Sequence, residues 1–245
     1  MSGKKSDLRS DVRGDLLFEL PPSFTLPVTG DDRRYPVKRI FCVGRNYAAH
    51  ATEMGNVVDR AAPFYFTVTP ANARLGGEVA FPPGTEDYHH EVEFVVALKS
   101  PSGQSGGRNI PAAQAEAHIF GYGVGLDMTR RDLQTAAKDK RRPWCIAKDV
   151  EAGALFSPLM RREDFGAIGN QAITLRKNDA LVQTSTIDLM VHSVPDLIAH
   201  LSQFYDLGAG DVIMTGTPEG VGPVARGDRL VGTVTGISPI DVTFV

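Results

Sequence analysis

The sequence has few cysteines, little net charge and no long hydrophobic run. Only Cys42 and Cys145 occur among 245 residues, so nothing demands a disulfide framework and a reducing compartment is the simpler expectation. The 26 basic and 29 acidic side chains leave a formal charge of −3, which gives no electrostatic footprint for nucleic acid or anionic lipid. No apolar run approaches the roughly 18 residues of a spanning helix, and no secretory signal follows the basic N-terminus. We therefore expect a soluble, cytoplasmic protein without nucleic-acid or membrane partners.

The composition predicts a folded domain preceded by a short extension. With 42% hydrophobic and 22% charged residues, the chain is unlike disordered, collagen-like or coiled-coil sequences. Residues 1–35 are polar and then proline-interrupted, which predicts a partly irregular N-terminal extension that is mobile or packs as an arm. Residues 36–245 form the expected catalytic domain. Its short apolar runs outnumber its helical patterns without regular alternation, which favours an α+β fold dominated by β structure.

The pattern of apolar residues predicts seven strands and four helices. Helices are expected from a cap at Asn46 to Gly55, after Pro111, from about Arg130, and over residues 194–205. Strands are expected over residues 37–44, 64–68, 91–98, 122–128, 211–215, 228–235 and 240–245.

Three carboxylates in these strands form a candidate cation site. Side chains alternate along a strand, so Glu91 and Glu93 project to the same face and repel one another. Asp127 ends an otherwise uncharged, glycine-punctuated strand. Three carboxylates without a cysteine partner suit Mg²⁺, Mn²⁺ or Ca²⁺, although a solvated pair of glutamates is the commoner meaning of such spacing.

His50 and Glu53 are a candidate general base and its orienting partner. Three residues apart on a helix, they can touch. A carboxylate that holds one imidazole nitrogen leaves the other as a base suited to neutral pH. The spacing alone is weak, because most such pairs are surface contacts.

Polar residues after Asp127 are candidates for binding an anionic substrate. Arg131 and Gln134 share a helix face, and an arginine fork matches a carboxylate. Lys148 can balance the negative charge of the three carboxylates. A solvated basic helix is the alternative, since Lys138 and Lys140 follow closely.

The glycine-rich loop over residues 216–222 lacks the lysine and spacing of a phosphate-binding loop, so nucleotide binding is rejected and Thr217 is kept as a substrate-binding candidate. His89 and His90 lack the spacing of a zinc site, and no nucleophile elbow of an α/β-hydrolase is present.

Five segments, taken in order, resemble the fumarylacetoacetate hydrolase family from about Val37 to the C-terminus. They are Val43-Gly44-Arg45-Asn46-Tyr47 with His50 and Glu53, His90-Glu91-Val92-Glu93, Gly125 to Gln134, Lys148, and Thr215 to Gly222. The string from Met128 to Gln134, with Arg142-Pro143-Trp144, is most similar to the bacterial members that hydrolyse fumarylpyruvate in gentisate-type aromatic catabolism.

The resemblance implies a mixed β-roll, a homodimer, and a Mg²⁺ or Mn²⁺ site at Glu91, Glu93 and Asp127. It implies a hydrolase that cleaves a carbon–carbon bond in a ketonic substrate, an acylpyruvate (2,4-dioxo acid) such as fumarylpyruvate. The substrate chelates the cation, and His50, oriented by Glu53, activates water that attacks the C4 carbonyl. The metal and Lys148 stabilise the charge on the departing pyruvate. The binding residues would be Arg131, Gln134 and Thr217.

Two segments depart from the family pattern. Members commonly carry Lys-Pro where this chain has Thr69-Pro70, and a Phe-Asp pair where it has Val150-Glu151. Two alternative functions therefore stay open: a decarboxylase or isomerase of a 2-oxo dicarboxylate on the same scaffold, and a catalytically silent binding homologue.

Overall fold

Strands dominate the described part of the chain, which in this computed structural model comprises residues 17–19, 21–55, 57–103 and 106–245. The first nine strands are β1 (Thr25–Val28), β2 (Asp31–Pro36), β3 (Arg39–Gly44), β4 (Phe64–Val68), β5 (Ala73–Leu75), β6 (Gly77–Val79), β7 (Tyr88–His90), β8 (Val92–Leu98) and β9 (Ile119–Asp127). The remaining strands are β10 (Thr129–Arg130), β11 (Ala154–Phe156), β12 (Met160–Arg161), β13 (Ala172–Lys177), β14 (Ala180–Thr186), β15 (Asp211–Met214), β16 (Gly222–Val224), β17 (Arg229–Val234) and β18 (Ile240–Phe244).

The helices are short and lie between strands. They are α1 (Ala48–Glu53), α2 (Arg131–Asp139), α3 (Cys145–Lys148), α4 (Arg162–Phe165) and α5 (Val194–Leu201), with 3₁₀ helices at Pro70–Asn72, Ala112–His118 and Ile187–Leu189. Within the described ranges, none of these helices has the length and apolar character needed to cross a membrane.

The described residues form four sheets: the small sheets β1-β2 and β10-β7-β16, and two large sheets that enclose the core. The larger has the strand order β4-β3-β15-β8-β9-β11-β5, with β12 on β9, and the smaller has the order β14-β13-β17-β18-β6. Parallel pairing of β3 with β15, β5 with β11 and β6 with β18 makes both sheets mixed. The two sheets share one hydrophobic core, in which Phe94 and Val124 belong to the same buried cluster as Ile173 and Leu230.

Strand β8 is buried on both faces, and this decides where the site forms. Phe94 belongs to the core between the sheets, whereas Val95 belongs to a second core on the opposite face. Glu93 alternates with Phe94 and therefore lies on the face of that second core. Its cross-strand partner is Gly125, where an added Cβ would lie 2.8 Å from Val95, so only glycine allows this close packing beside a buried carboxylate.

The β-dominated α+β prediction is confirmed, and the sheets match the mixed β-roll that the family resemblance implied. The predicted strands at 64–68, 91–98 and 122–128 and the helix from about Arg130 are present to within a few residues. The helix expected after Pro111 is a 3₁₀ helix, and the helix expected to reach residue 205 ends at Leu201.

The predicted N-cap at Asn46 is wrong. Tyr47 is the N-cap residue of α1, and no side chain caps the helix. The Asn46 amide instead donates to the main-chain carbonyls of His192 (3.0 Å) and Thr215 (2.8 Å). A buried side-chain amide needs hydrogen-bond partners, and the partners of Asn46 are carbonyl groups of residues distant in sequence.

Residues 25–36 form a hairpin of β1 and β2, whereas residues 1–16 of the predicted extension lie outside the described residues. Leu26 and Tyr35 are buried in the second core, and the Tyr35 hydroxyl donates to the carbonyl of Leu98 at 2.6 Å. The boundary between residues 35 and 36 stays a prediction.

Candidate active site

Glu91, Glu93 and Asp127 meet where β8 and β9 run side by side. Each offers a carboxylate oxygen within 4.8 Å of those of the other two, and all three residues are buried. The Asp127 N–H donates to the Glu91 carbonyl at 2.9 Å, which fixes the two strands in register. The Gly216 N–H donates to Glu93 Oε2 at 2.8 Å and holds that side chain from the other side. The predicted grouping of these carboxylates is therefore present.

Lys148 and Arg131 partly neutralise the three carboxylates. The Lys148 ammonium donates to Glu91 Oε2 at 2.7 Å and to Asp127 Oδ2 at 2.8 Å, and the Arg131 guanidinium donates to Glu91 Oε1. Burial acts to raise the pKa of Glu91, but Lys148 and Arg131 outweigh it and hold the pKa below its usual range. Glu91 is therefore ionised at neutral pH.

The other two carboxylates remain under-compensated. Burial, with the charges of Asp127 and Glu91, raises the pKa of Glu93. Burial likewise raises the pKa of Asp127 to about 6, although Lys148 opposes the shift. Asp127 Oδ1 is buried and, within the described part of the chain, has no hydrogen-bond partner. A buried, orphaned carboxylate oxygen beside two further carboxylates fits a hard divalent cation.

His50 lies at the wall of the same cavity, close to Glu53 on α1. Its Nδ1 is 3.4 Å from Glu53 Oε2, and the Glu53 carboxylate also accepts from the Gly220 N–H at 3.1 and 3.2 Å. Burial lowers the pKa of His50, against the opposing charges of Glu91 and Glu53. His50 is thus neutral at pH 7. With Nδ1–H directed to Glu53, its Nε2 is left with a lone pair that can accept a proton.

Arg131 and Gln134 share the buried face of α2, as the sequence predicts. The Arg131 Nη1 donates to Gln134 Oε1 at 2.6 Å. Because arginine can only donate, this contact assigns the amide oxygen of Gln134 to Arg131. The Gln134 NH₂ group is thereby left to donate to substrate oxygens in the cavity.

Gln183 on β14 fixes the hydroxyl of Thr217, and the sequence analysis did not identify it. Its Oε1 accepts from the Val92 N–H (3.1 Å), and its Nε2 donates to the carbonyl of Pro218 (2.8 Å), so the amide orientation is determined by main-chain partners. The same Nε2 donates to Thr217 Oγ1 at 2.9 Å. Thr217 must then direct its own proton elsewhere, and it lines the cavity.

Arg45, Lys138, Phe64 and Trp144 also line this cavity, and we call these four residues the rim. The Phe64 ring lies so close to Gly44 that an added Cβ there would be 2.2 Å from it. Glycine at position 44 therefore allows the ring to close on the strand that leads to the site.

The two departures from the family pattern lie outside the lining of this cavity. The Thr69 N–H and hydroxyl donate to the carboxylate of Asp149 at 2.9 and 2.7 Å, next to Lys148 in the chain. Glu151 lines a separate groove beside Phe24 and Arg74. Both departures therefore lie in or against the loop that follows Lys148, and not among the residues that line the cavity.

The predicted site residues are brought together by the fold. Eight line the one cavity, and Glu53 reaches it through His50: the eight are His50, Glu91, Glu93, Asp127, Arg131, Gln134, Lys148 and Thr217. The roles assigned to them stay predictions. Gln183, Arg45 and Lys138 were not predicted as site residues. Arg45 stands in the first family segment but was given no role, Lys138 was counted with a solvated basic helix, and Gln183 stands in none of the motifs.

Comparison with known proteins gives one family and relatives of more than one activity. The family model "Fumarylacetoacetate (FAA) hydrolase C-terminal" matches residues 39–245. A fumarylpyruvate hydrolase from Ralstonia sp. is 44% identical over 194 residues, which cover 78% of this chain and 97% of the relative. An oxaloacetate tautomerase from Escherichia coli is 37% identical over 205 residues, covering 83% and 91%.

Solved structures agree with the fold. The crystal structure of fumarylpyruvate hydrolase from Pseudomonas aeruginosa, in complex with Mn²⁺ and pyruvate, has a TM-score of 0.90 at 41% identity. The match covers 94% of this chain and 99% of that one.

Proposed function

This chain belongs to the fumarylacetoacetate hydrolase family, and on that premise we propose that it hydrolyses the C3–C4 bond of an acylpyruvate, with fumarylpyruvate as the leading substrate. The observation that carries the proposal is the buried His50, which contacts Glu53 and lines the same cavity as the three carboxylates. A base beside a candidate cation site is what activation of water requires. The similarity to the Ralstonia fumarylpyruvate hydrolase over 97% of that relative supports the choice of substrate.

Glu91, Glu93 and Asp127 would hold the divalent ion, Mg²⁺ or Mn²⁺. Their oxygen donors favour a hard cation, and the relative from Pseudomonas aeruginosa binds Mn²⁺. When bound, such an ion polarises the oxygens of a 2-oxo acid as a Lewis acid. The orphaned Asp127 Oδ1 supports the assignment from within this chain.

His50 performs the proton transfers in this proposal. Its Nε2 accepts a proton from water while Nδ1 stays directed to Glu53, and the hydroxide adds to the C4 carbonyl. The C3–C4 bond then breaks, its electron pair goes to C3, and the protonated His50 returns its proton there. The products are pyruvate and the carboxylic acid of the acyl group, which releases one net proton on ionisation.

Arg131, Gln134, Thr217 and Lys148 hold the substrate and its developing charge. The free NH₂ of Gln134 and the hydroxyl proton of Thr217 are both available to substrate oxygens. Lys148 stays protonated because Asp127 and Glu91 outweigh the effect of burial and raise its pKa. A buried ammonium stabilises an enolate more strongly than it would in water.

A tautomerase or decarboxylase of oxaloacetate is the second candidate, favoured by the 37% identity to the Escherichia coli oxaloacetate tautomerase. Tautomerisation moves a proton between carbon and oxygen, and decarboxylation breaks a C–C bond, releases CO₂ and then protonates the enolate. Neither reaction needs an attacking water. Proton NMR with the Mg²⁺-loaded protein separates the candidates. Equal amounts of fumarate and pyruvate from fumarylpyruvate support hydrolysis. Conversion of oxaloacetate with acylpyruvates untouched would support the second candidate, and inertness towards all of them would support a binding homologue.

We also propose a cytoplasmic homodimer. Cys42 and Cys145 are both free, which agrees with a reducing compartment. Light scattering after gel filtration tests the assembly, with a mass twice that of the chain expected and a mass equal to one chain contradicting it.

A further inference from the structure

Two cationic side chains of the rim are not used in the proposed mechanism. Arg45 follows β3 and Lys138 lies in the last turn of α2, and both are half-buried in the lining of the cavity. Among the described residues, neither forms an ion pair with a carboxylate. Each lies over an aromatic ring instead: the Arg45 guanidinium is 6.0 Å from the centre of Phe64, and the Lys138 ammonium is 5.1 Å from that of Trp144.

The strained backbone of Arg45 and the lowered pKa of Lys138 are both features that concentrate at functional positions. Arg45 has a φ of 59°, in the left-handed region that residues other than glycine seldom adopt. Burial, together with the charges of Arg131 and Arg45, lowers the pKa of Lys138 to about 8. Two cations held close together in one cavity favour a bound negative charge.

The charge of the whole cavity indicates how much negative charge it can take. Three carboxylates face Lys148 and Arg131 at the inner end, so a bound divalent ion leaves a net charge of one positive there. Arg45 and Lys138 raise this to three positive. A 2-oxo acid with one carboxylate would leave two positive charges uncompensated in a half-buried space, whereas a second carboxylate offsets one of them.

We propose that Arg45 and Lys138 form a subsite for a second, distal carboxylate, so that the protein selects 2-oxo acids that end in a carboxylate over those that end in a methyl group. The subsite rests on the proposed function, because it assumes that the 2-oxo acid end lies at the carboxylate triad. Phe64 and Trp144 hold the two cations by their ring faces and stabilise them between binding events.

A matched pair of unreactive ligands tests the subsite. In 2-oxoheptanedioate and 2-oxoheptanoate the chain length and the 2-oxo acid end are the same, and only the far end differs. Calorimetric titration of the Mn²⁺-loaded protein should show about ten- to hundredfold tighter binding of the diacid. In Lys138→Gln and Arg45→Gln this ratio should fall several-fold while 2-oxoheptanoate binds as before. Lys140→Gln, an exposed lysine at the end of the same helix, is the matched control and should keep the ratio.

Equal binding of the two ligands by the wild-type protein, or equal weakening of both by the variants, would overturn the subsite. Binding of 2-oxoheptanoate also reports that each variant is folded. Cleavage of fumarylpyruvate, followed separately by proton release, keeps the two proposals apart. A protein that prefers the diacid but cleaves nothing would support the subsite and contradict the proposed hydrolase. A protein that cleaves fumarylpyruvate without preferring the diacid would support the hydrolase and contradict the subsite.

Discussion

The inner end of the cavity and its rim are built in different ways. At the inner end, Lys148 contacts Glu91 and Asp127 at 2.7 and 2.8 Å, and all three are buried. At the rim, Arg45 and Lys138 are half-buried and lie 6.0 and 5.1 Å from ring centres. Directed, buried contacts fix the geometry and protonation of groups that perform chemistry. Cations over rings keep their hydrogen-bond donors available, so we expect the inner end to set the reaction and the rim to set the substrate.

Replacing a carboxylate of the inner end should have the largest effect. Glu93→Gln keeps an acceptor for the Gly216 N–H but removes a charged ligand. Loss of an outer-shell partner already costs about 10–100-fold in metal affinity or activity, so loss of a direct ligand should cost more. We expect Mn²⁺ titration to show more than about 100-fold weaker binding, and activity to be lost at limiting metal. Unchanged Mn²⁺ affinity would remove Glu93 from the cation site. Glu116→Gln, on the exposed surface, is the control.

Removing the base should slow hydrolysis strongly without affecting the cation. His50→Ala is expected to lower kcat for acylpyruvate cleavage by about 10²–10⁴-fold, because His50 alone is placed to accept the proton of water in this mechanism. Mn²⁺ affinity should stay within about twofold, since removing a general base removes no ligand. A variant that cleaves at the wild-type rate would leave the attacking water without its proposed activator.

Acid should weaken metal binding because it protonates Asp127. Its pKa is raised to about 6, so below that pH it carries a proton that the cation must displace. Each unit below pH 6 should then cost at least about tenfold in apparent Mn²⁺ affinity, because the pKa of Glu93 is also raised and its proton must be displaced as well. Calorimetry from pH 5 to 7.5 measures the slope, with His50→Ala expected to keep it. A flat profile would mean that Asp127 is ionised before the metal binds.

A smaller effect is expected at Gln183, which acts through Thr217. Gln183→Met removes the amide that donates a hydrogen bond to the Thr217 hydroxyl. It also leaves the Val92 N–H without its acceptor. Thermal unfolding should report a loss of about 1–3 kcal/mol, and KM should rise several-fold while kcat changes little. Gln171→Met, which also breaks side-chain contacts to the main chain but lies away from the cavity, should leave KM unchanged. A fall in kcat alone would contradict a role in placing Thr217.

The sequence was most informative where local periodicity controls geometry. Glu91 and Glu93 had to share a face because strand side chains alternate, and Arg131 and Gln134 had to share one because a helix brings residues three apart together. These rules need no knowledge of the rest of the fold. They grouped Glu91 with Glu93 and Arg131 with Gln134. Asp127 joined the carboxylates through its chemistry and through the family resemblance, and not through periodicity.

Contacts between distant segments could not be predicted in this way. Asn46 was expected to cap α1, but its partners are carbonyls at positions 192 and 215. Gln183 lies on β14, one of the strands between residues 150 and 190 that had no predicted counterpart, and it serves Thr217 from 34 residues away. Lys138 looked like part of a solvated basic helix, and only the tertiary fold places it over Trp144 in the cavity.

The separation of inner end and rim is tested most directly by measuring two affinities in one variant. In Lys138→Gln, calorimetry should give a Mn²⁺ dissociation constant within about twofold of the wild-type value, because no ligand of the cation has changed. The preference for 2-oxoheptanedioate over 2-oxoheptanoate should be largely lost in the same sample. If Mn²⁺ affinity fell together with the preference, the rim would also contribute to cation binding. If the preference survived, the rim would not determine the choice of substrate. Either result would contradict the separation of the two regions.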